Sequence, residues 1–149
     1  MRSRLRTSAA ACAALLFAAC AAPGPRQLLG ATTPAGPYSP GVAYGDLVFL
    51  AGQLGNDPAT GALVEGGVSA ETHQAMRNLG AVLREEGLGF EDVVKATVFL
   101  ADIDDFAAMN EVYASYFPAG GIPPARSTVQ AGAISAGARV EIDFIAVRR

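Results

Sequence analysis

The chain has 149 residues, enough for one hydrophobic core and too few for two. Apolar residues make up 51% and charged residues 17%, a balance that excludes an intrinsically disordered chain. The formal net charge is -3; without Arg2, Arg4 and Arg6, eight basic residues face 14 acidic ones, and the resulting -6 argues against nucleic acid as a partner.

Those three arginines open the chain, and Ser8 to Ala19 follows as a run of small and apolar residues too short to span a bilayer. The pattern predicts an export signal over residues 1–20. Its end, Leu16-Phe17-Ala18-Ala19-Cys20, resembles the bacterial lipobox, which implies a lipidated Cys20 as the new N-terminus. Cleavage by an ordinary signal peptidase after Ala21 or Ala22 is the competing reading. Both readings export the protein, as a free periplasmic protein or as a lipoprotein whose membrane contact is that lipid anchor. Cys12 falls within the signal, so a lipidated Cys20 leaves the body without a thiol for a disulfide, a metal or nucleophilic catalysis.

Residues 21–37 carry Pro23, Gly24, Pro25, Pro34, Gly36 and Pro37 without hydrophobic periodicity and read as a tether, about 50 Å long when extended. The expected folded domain is 38–149. Asp46 to Gln53 is an apolar run that predicts a strand buried on both faces. Turn formers occupy Asn56 to Gly61. A helix is expected from a Ser69 cap to about Glu86, with Glu71 in its first turn, Gly87 as its stop and Thr72, Ala75, Met76, Leu79, Val82 and Leu83 as its packing stripe. Val93 to Leu100 predicts a second strand, and a second helix runs from about Asp104 to Tyr116 before Pro118. Arg126 to Gln130 and Ala138 to Val147 complete the set, the last with Val140, Ile142, Phe144 and Ala146 alternating against Arg139, Glu141 and Asp143. The fold class is α+β, two helices on one sheet.

Candidate chemistry is sparse. Arg126 follows Pro123-Pro124-Ala125, so a stiff backbone aims its guanidinium, as bidentate carboxylate recognition requires. Pairing with a structural carboxylate is the simpler reading of an arginine there. Glu141, mid-strand, could activate a water, yet it shares its face with Arg139 and Asp143 as a solvated or subunit-facing residue would. Asn110 falls on one helical stripe with Phe106, Tyr113 and Phe117, where tying down a loop is its simplest role. Gly52 lets a ligand approach the backbone, or merely packs. Asp102, Asp104 and Asp105 read as helix caps, with no histidine to join them in a metal site. His73 is the sole histidine and reads as a surface residue.

Six strings in order, GPYSPGV, LAGQLGNDPATG, NLGAVLREEG, VVKATVFLADIDDFAAMNEVYASYF, PARSTV and VEIDFIAV, resemble the RidA family, also called YjgF/YER057c/UK114. The resemblance implies a chorismate-mutase-like α+β fold, two helices on one mixed sheet, assembled as a homotrimer with clefts between subunits. It implies hydrolytic deamination of reactive 2-imino acids to 2-oxo acids and ammonia, without a cofactor. Carried over by position, Arg126 matches the arginine that binds the substrate carboxylate and Glu141 the acidic residue that positions or activates water. Tyr38, Gly52 and Asn110 match residues that line the cleft, and Thr128 takes a position often held by Cys. Pro40-Gly41 and Ile134-Ser135 depart from the family pattern and bear on substrate preference. A trimeric binding module that holds small carboxylates without turnover is the alternative. Ribonuclease activity, ascribed to some relatives, ranks last because of the charge and the single His73.

Overall fold

The computed structural model describes residues 24–29 and 36–149, so the expected signal and Cys20 lie outside the described residues. Among the described residues six strands form one sheet. They are β1 (Gln27–Leu29), β2 (Gly41–Tyr44), β3 (Leu47–Leu54), β4 (Val93–Leu100), β5 (Ala125–Gln130) and β6 (Val140–Val147), in the spatial order β1-β2-β3-β6-β4-β5. Neighbours are antiparallel except β4 and β5, which run parallel. Two helices, α1 (Gly67–Glu85) and α2 (Phe106–Ala114), pack on one face, α1 against β3 and β6 and the two helices against each other. The expected two helices on a mixed sheet are present.

The period of two in β6 decides which face the helices take. Val140, Ile142, Phe144 and Ala146 are buried, as are Ala96, Val98 and Leu100 of β4 and Val48 and Leu50 of β3. Ala75, Met76, Leu79 and Leu83 of α1 and Met109 of α2 close this core. Among the described residues the opposite face carries no helix. Leu47 and Phe49, exposed at 41% each, pair there with Val147 and Ile145.

Five expectations need correction. The strand over Asp46 to Gln53 is buried on one face only, because the helices cover one side and nothing among the described residues covers the other. Gln27–Leu29, expected within the tether, is a strand that pairs with β2 and seats Leu29 in the core. Strand β2 was also not expected; its four residues are too few to show alternation. Helix α1 starts ahead of Ser69, because Gly66 and Gly67, with φ of 114° and 72°, turn the backbone into it without a side-chain cap. Finally α2 begins at Phe106, after a 3₁₀ turn over Ile103–Asp105 in which the Asp102 carboxylate accepts the Asp104 N–H.

The end of α1 follows the sequence. Gly87, at φ 71°, ends α1 while the Leu88 and Gly87 amides return to the Leu83 and Arg84 carbonyls. Glu71 does not serve the helix dipole as expected. It is buried, and its carboxylate accepts the Arg139 amide at 2.7 Å, fixing the chain as it enters β6. Removing such a charged acceptor costs about 1–3 kcal/mol, so the entry to β6 is firmly held.

Candidate functional site

The six candidate residues within the described part fall into two groups on different parts of the sheet. The first surrounds Arg126, the second residue of the edge strand β5. Arg126 lies opposite Ala96, a core residue, and its side chain therefore turns to the helix side. There its Nη2 donates to Asn110 Oδ1 at 2.7 Å. The guanidinium carbon sits 4.6 Å from the ring centre of Tyr113 and 5.6 Å from that of Phe106. Asn110 thus holds the arginine rather than a loop, contrary to its simplest reading. Thr128, two residues on, faces the same side opposite Val98, and its buried Oγ1 has no hydrogen-bond partner among the described residues.

Among the described residues no carboxylate pairs with Arg126; the ion pairs are Arg139–Asp105, Arg148–Glu86 and Arg149–Asp92. A half-buried, hydrogen-bonded cation without a counter-charge is a ready seat for an anion. Beside it opens a cleft of about 480 Å³ lined by Asn110, Tyr113, Phe117, Pro118, Pro124 and Arg126. Its walls are mainly apolar, with the charge at one end. Burial pushes the Tyr113 hydroxyl up to about 12, with Arg126 opposing, so Tyr113 stays neutral beside the cation.

The second group surrounds Glu141. Between Leu50 and Gln53 the pairing of β3 with β6 shifts, so that Ala51 and Gly52 together face the single residue Asp143. This bulge brings the Gly52 backbone against Glu141, and a methyl group at Gly52 would collide with the carboxylate. Glycine lets the carboxylate lie this close to the backbone. Glu141 lies opposite Phe99, on the helix-free face. Its pKa is raised, first by burial and second by the neighbouring charge of Asp143. The Ala51 amide donates to the Pro40 carbonyl at 2.9 Å, which ties the segment carrying Tyr38 to the bulge. Tyr38 itself is 58% exposed.

Within one chain the two groups do not meet. β4 separates β5 from β6, and Arg126 and Glu141 align with Ala96 and Phe99 on it. They are about 10 Å apart across the sheet and about 10 Å along it, on opposite faces. One group is able to fix an acid and the other to manage a proton.

Sequence reasoning placed Phe106 and Tyr113 on the Asn110 stripe but gave them no role toward Arg126. The signal was their spacing, i, i+4 and i+7 along one helix. His73 is exposed, and the hydroxyl of Tyr116 donates to its backbone carbonyl at 3.0 Å, remote in role from both groups. Among the described residues no three His, Cys, Asp or Glu side chains converge as for a metal ion, and no helix is long and apolar enough to cross a membrane.

A family model described as Endoribonuclease L-PSP matches residues 29–148. A goat (Capra hircus) protein named 2-iminobutanoate/2-iminopropanoate deaminase is 50% identical over 113 residues, covering 76% of this chain and 81% of its own. Protein DfrA of Myxococcus xanthus is 52% identical over 114 residues, 75% of this chain and 86% of its own. Among solved structures, Escherichia coli TdcF with bound serine has a TM-score of 0.77 and 35% identity, covering 83% of this chain and 99% of its own. RidA from the Antarctic bacterium Psychrobacter sp. PAMC 21119 has a TM-score of 0.76 and 38% identity, covering 82% and 99%.

The geometry around Glu141 yields a titration prediction. Its carboxyl should release its proton above the ordinary 4.5, read from the carbon-13 shift of the side-chain carboxyl. Asp143→Asn removes a like charge and should move that midpoint down. A midpoint indifferent to Asp143 would contradict the assigned electrostatics.

Proposed function

We propose that this chain, which belongs to the Endoribonuclease L-PSP family, also named RidA, is a hydrolase acting on C=N bonds that deaminates 2-imino acids in the cell envelope. The observation that carries the reading is Arg126, clamped by Asn110 and two aromatic rings, without a counter-charge, at one end of a largely apolar cleft. It suits a small acid with an apolar side chain: the carboxylate takes the guanidinium and the side chain takes the cleft. The names of the deaminase relatives support the same substrate class.

Arg126 orients the acid so that C2 of the imine is exposed to water. Glu141 accepts a proton from that water as its oxygen bonds to C2, the C=N electrons move to nitrogen, and Glu141 passes the proton on to that nitrogen. The tetrahedral adduct then collapses: Glu141 takes the hydroxyl proton as C=O forms and delivers it to the amino nitrogen as C–N breaks. Ammonia leaves, and a 2-oxo acid remains. Water and imine are the only reactants, so no cofactor is needed.

This scheme needs Arg126 and Glu141 on one substrate, and the reading therefore includes a homotrimer in which one copy supplies the Arg126 group and the next supplies Glu141, Gly52 and Tyr38. The helix-free face supports it. Leu47, Phe49 and Val129 are exposed there, with Phe99, Ile145 and Val147 half-buried between them, a patch that a second copy of this chain would cover.

The envelope location rests on Arg2, Arg4, Arg6 and the run ending at Cys20. With β1 starting at Gln27, a lipidated Cys20 would hold the domain within about 20 Å of the membrane surface. Labelled palmitate should enter the full-length chain expressed in a bacterium and be lost in Cys20→Ser; a wild-type chain that takes up no label would remove the anchor.

Activity is tested by coupling the protein to an amino-acid oxidase that releases imines, with semicarbazide trapping what survives. The protein should suppress semicarbazone formation. Arg126→Ala should lower kcat/KM about 10- to 100-fold, the loss of a charge-assisted carboxylate contact. Glu141→Gln should lower kcat about 100-fold or more while sparing the binding of 2-oxobutanoate. Undiminished semicarbazone with wild-type protein, across several amino acids, would leave the non-catalytic carboxylate-binding module as the function.

A further inference from the structure

Tyr113 is 4% exposed, and its buried hydroxyl has no hydrogen-bond partner among the described residues. Buried tyrosine hydroxyls normally find one. The contact that accounts for the residue is through its ring, whose centre lies 4.6 Å from the Arg126 guanidinium carbon, closer than Phe106 at 5.6 Å. Phe106 is 40% exposed and forms the rim, whereas Tyr113 forms the floor.

That floor is braced from behind. The Tyr113 ring packs 4.9 Å from Phe117, Phe117 lies 5.8 Å from Phe90, and Phe90 lies 6.2 Å from Phe144. Phe144 is 1% exposed, in the centre of β6. A continuous run of aromatic contacts thus connects the guanidinium to the sheet core. An arginine side chain carries several free torsions, and its plane must be set before a bidentate carboxylate contact can form without further ordering. The Asn110 bond fixes one nitrogen. One bond leaves rotation about its own axis, and a ring beneath the guanidinium removes it.

We propose that Tyr113 is a positioning residue: its ring face, braced through Phe117 and Phe90 on the core, fixes the plane of the Arg126 guanidinium and so sets the affinity for the substrate carboxylate. The ring carries the effect, and the hydroxyl is dispensable to it. This rests on the reading of Arg126 as the carboxylate site.

The test uses the full assembled protein, with binding of 2-oxobutanoate by calorimetry and KM and kcat in the coupled assay. Tyr113→Leu should raise Kd and KM about tenfold, within the range of a desolvated cation–π contact, and leave kcat within about threefold. Tyr113→Phe, which restores the aromatic face, should recover most of that affinity. Should Tyr113→Leu fail to fold, Tyr113→Met serves as the variant without a ring. The Arg126 Nε–H resonance gives an independent readout. Ring current should displace it upfield in wild type and in Tyr113→Phe, and the displacement should vanish without the ring. Wild-type protein that binds no 2-oxobutanoate sinks the Arg126 reading and this inference together. Wild-type binding that survives in a folded Tyr113→Leu or Tyr113→Met variant overturns the inference alone. So does Tyr113→Phe that weakens binding as much as Tyr113→Leu.

Discussion

The two-residue period of Val140–Val147 is the constraint from which the rest of the molecule follows. It commits Val140, Ile142, Phe144 and Ala146 to the helices and leaves Glu141 and Asp143 on the other side. A strand slipped by one residue would expose the core and bury two carboxylates, so the register is strongly specified. The same commitment fixes where chemistry can occur. Glu141 is held on the open face, and Arg126, aligned with a core residue on β4, is turned to the helix face. Nothing within one chain can bring them together without breaking the sheet.

Each half is organised for its own task. On the helix side α2 supplies a hydrogen-bond acceptor and two ring faces to one arginine, all from a single stripe. A cation held this way has already lost much of its side-chain entropy, and an incoming carboxylate meets a nearly formed seat. On the open face the β3 bulge presses Gly52 against Glu141, and burial together with Asp143 raises the carboxyl's affinity for protons. A carboxylate more basic than usual is better suited to accept a proton from water. Leu47, Phe49 and Val129 are exposed apolar residues of the same face, and the proposed trimer would cover them.

The sequence made the long, regular elements legible and the short, irregular ones not. Alternation in VEIDFIAV and the stripe from Thr72 to Leu83 are strong periodic signals, and β6 and α1 follow them closely. β1 and β2 have three and four residues, too short for periodicity; β2 pairs with the edge that β3 offers, and β1 in turn with β2. The apolar run of β3 was read as buried on both faces because composition cannot distinguish a strand between two helix layers from one with an open apolar side. Of the site, Arg126, Asn110 and Glu141 were nameable from residue type and position. Their separation onto opposite faces was implicit in the register of β4 with both neighbours, which requires the pairing to be known. The role of Tyr113 was hidden because an aromatic residue on a helix stripe usually means core, and here it is both core and the floor beneath Arg126.

If the site is completed between copies, defects on the two halves should complement each other. Co-expression of Arg126→Ala and Glu141→Gln chains carrying different tags, followed by purification of the mixed assemblies, puts this to measurement. In each mixed cyclic trimer one interface of the three joins an intact Arg126 to an intact Glu141, so about a third of wild-type imine deamination should return. Separately purified variants, mixed without subunit exchange, should stay inactive. Mixed assemblies as inactive as their parents would contradict the claim that Arg126 and Glu141 meet across copies of this chain.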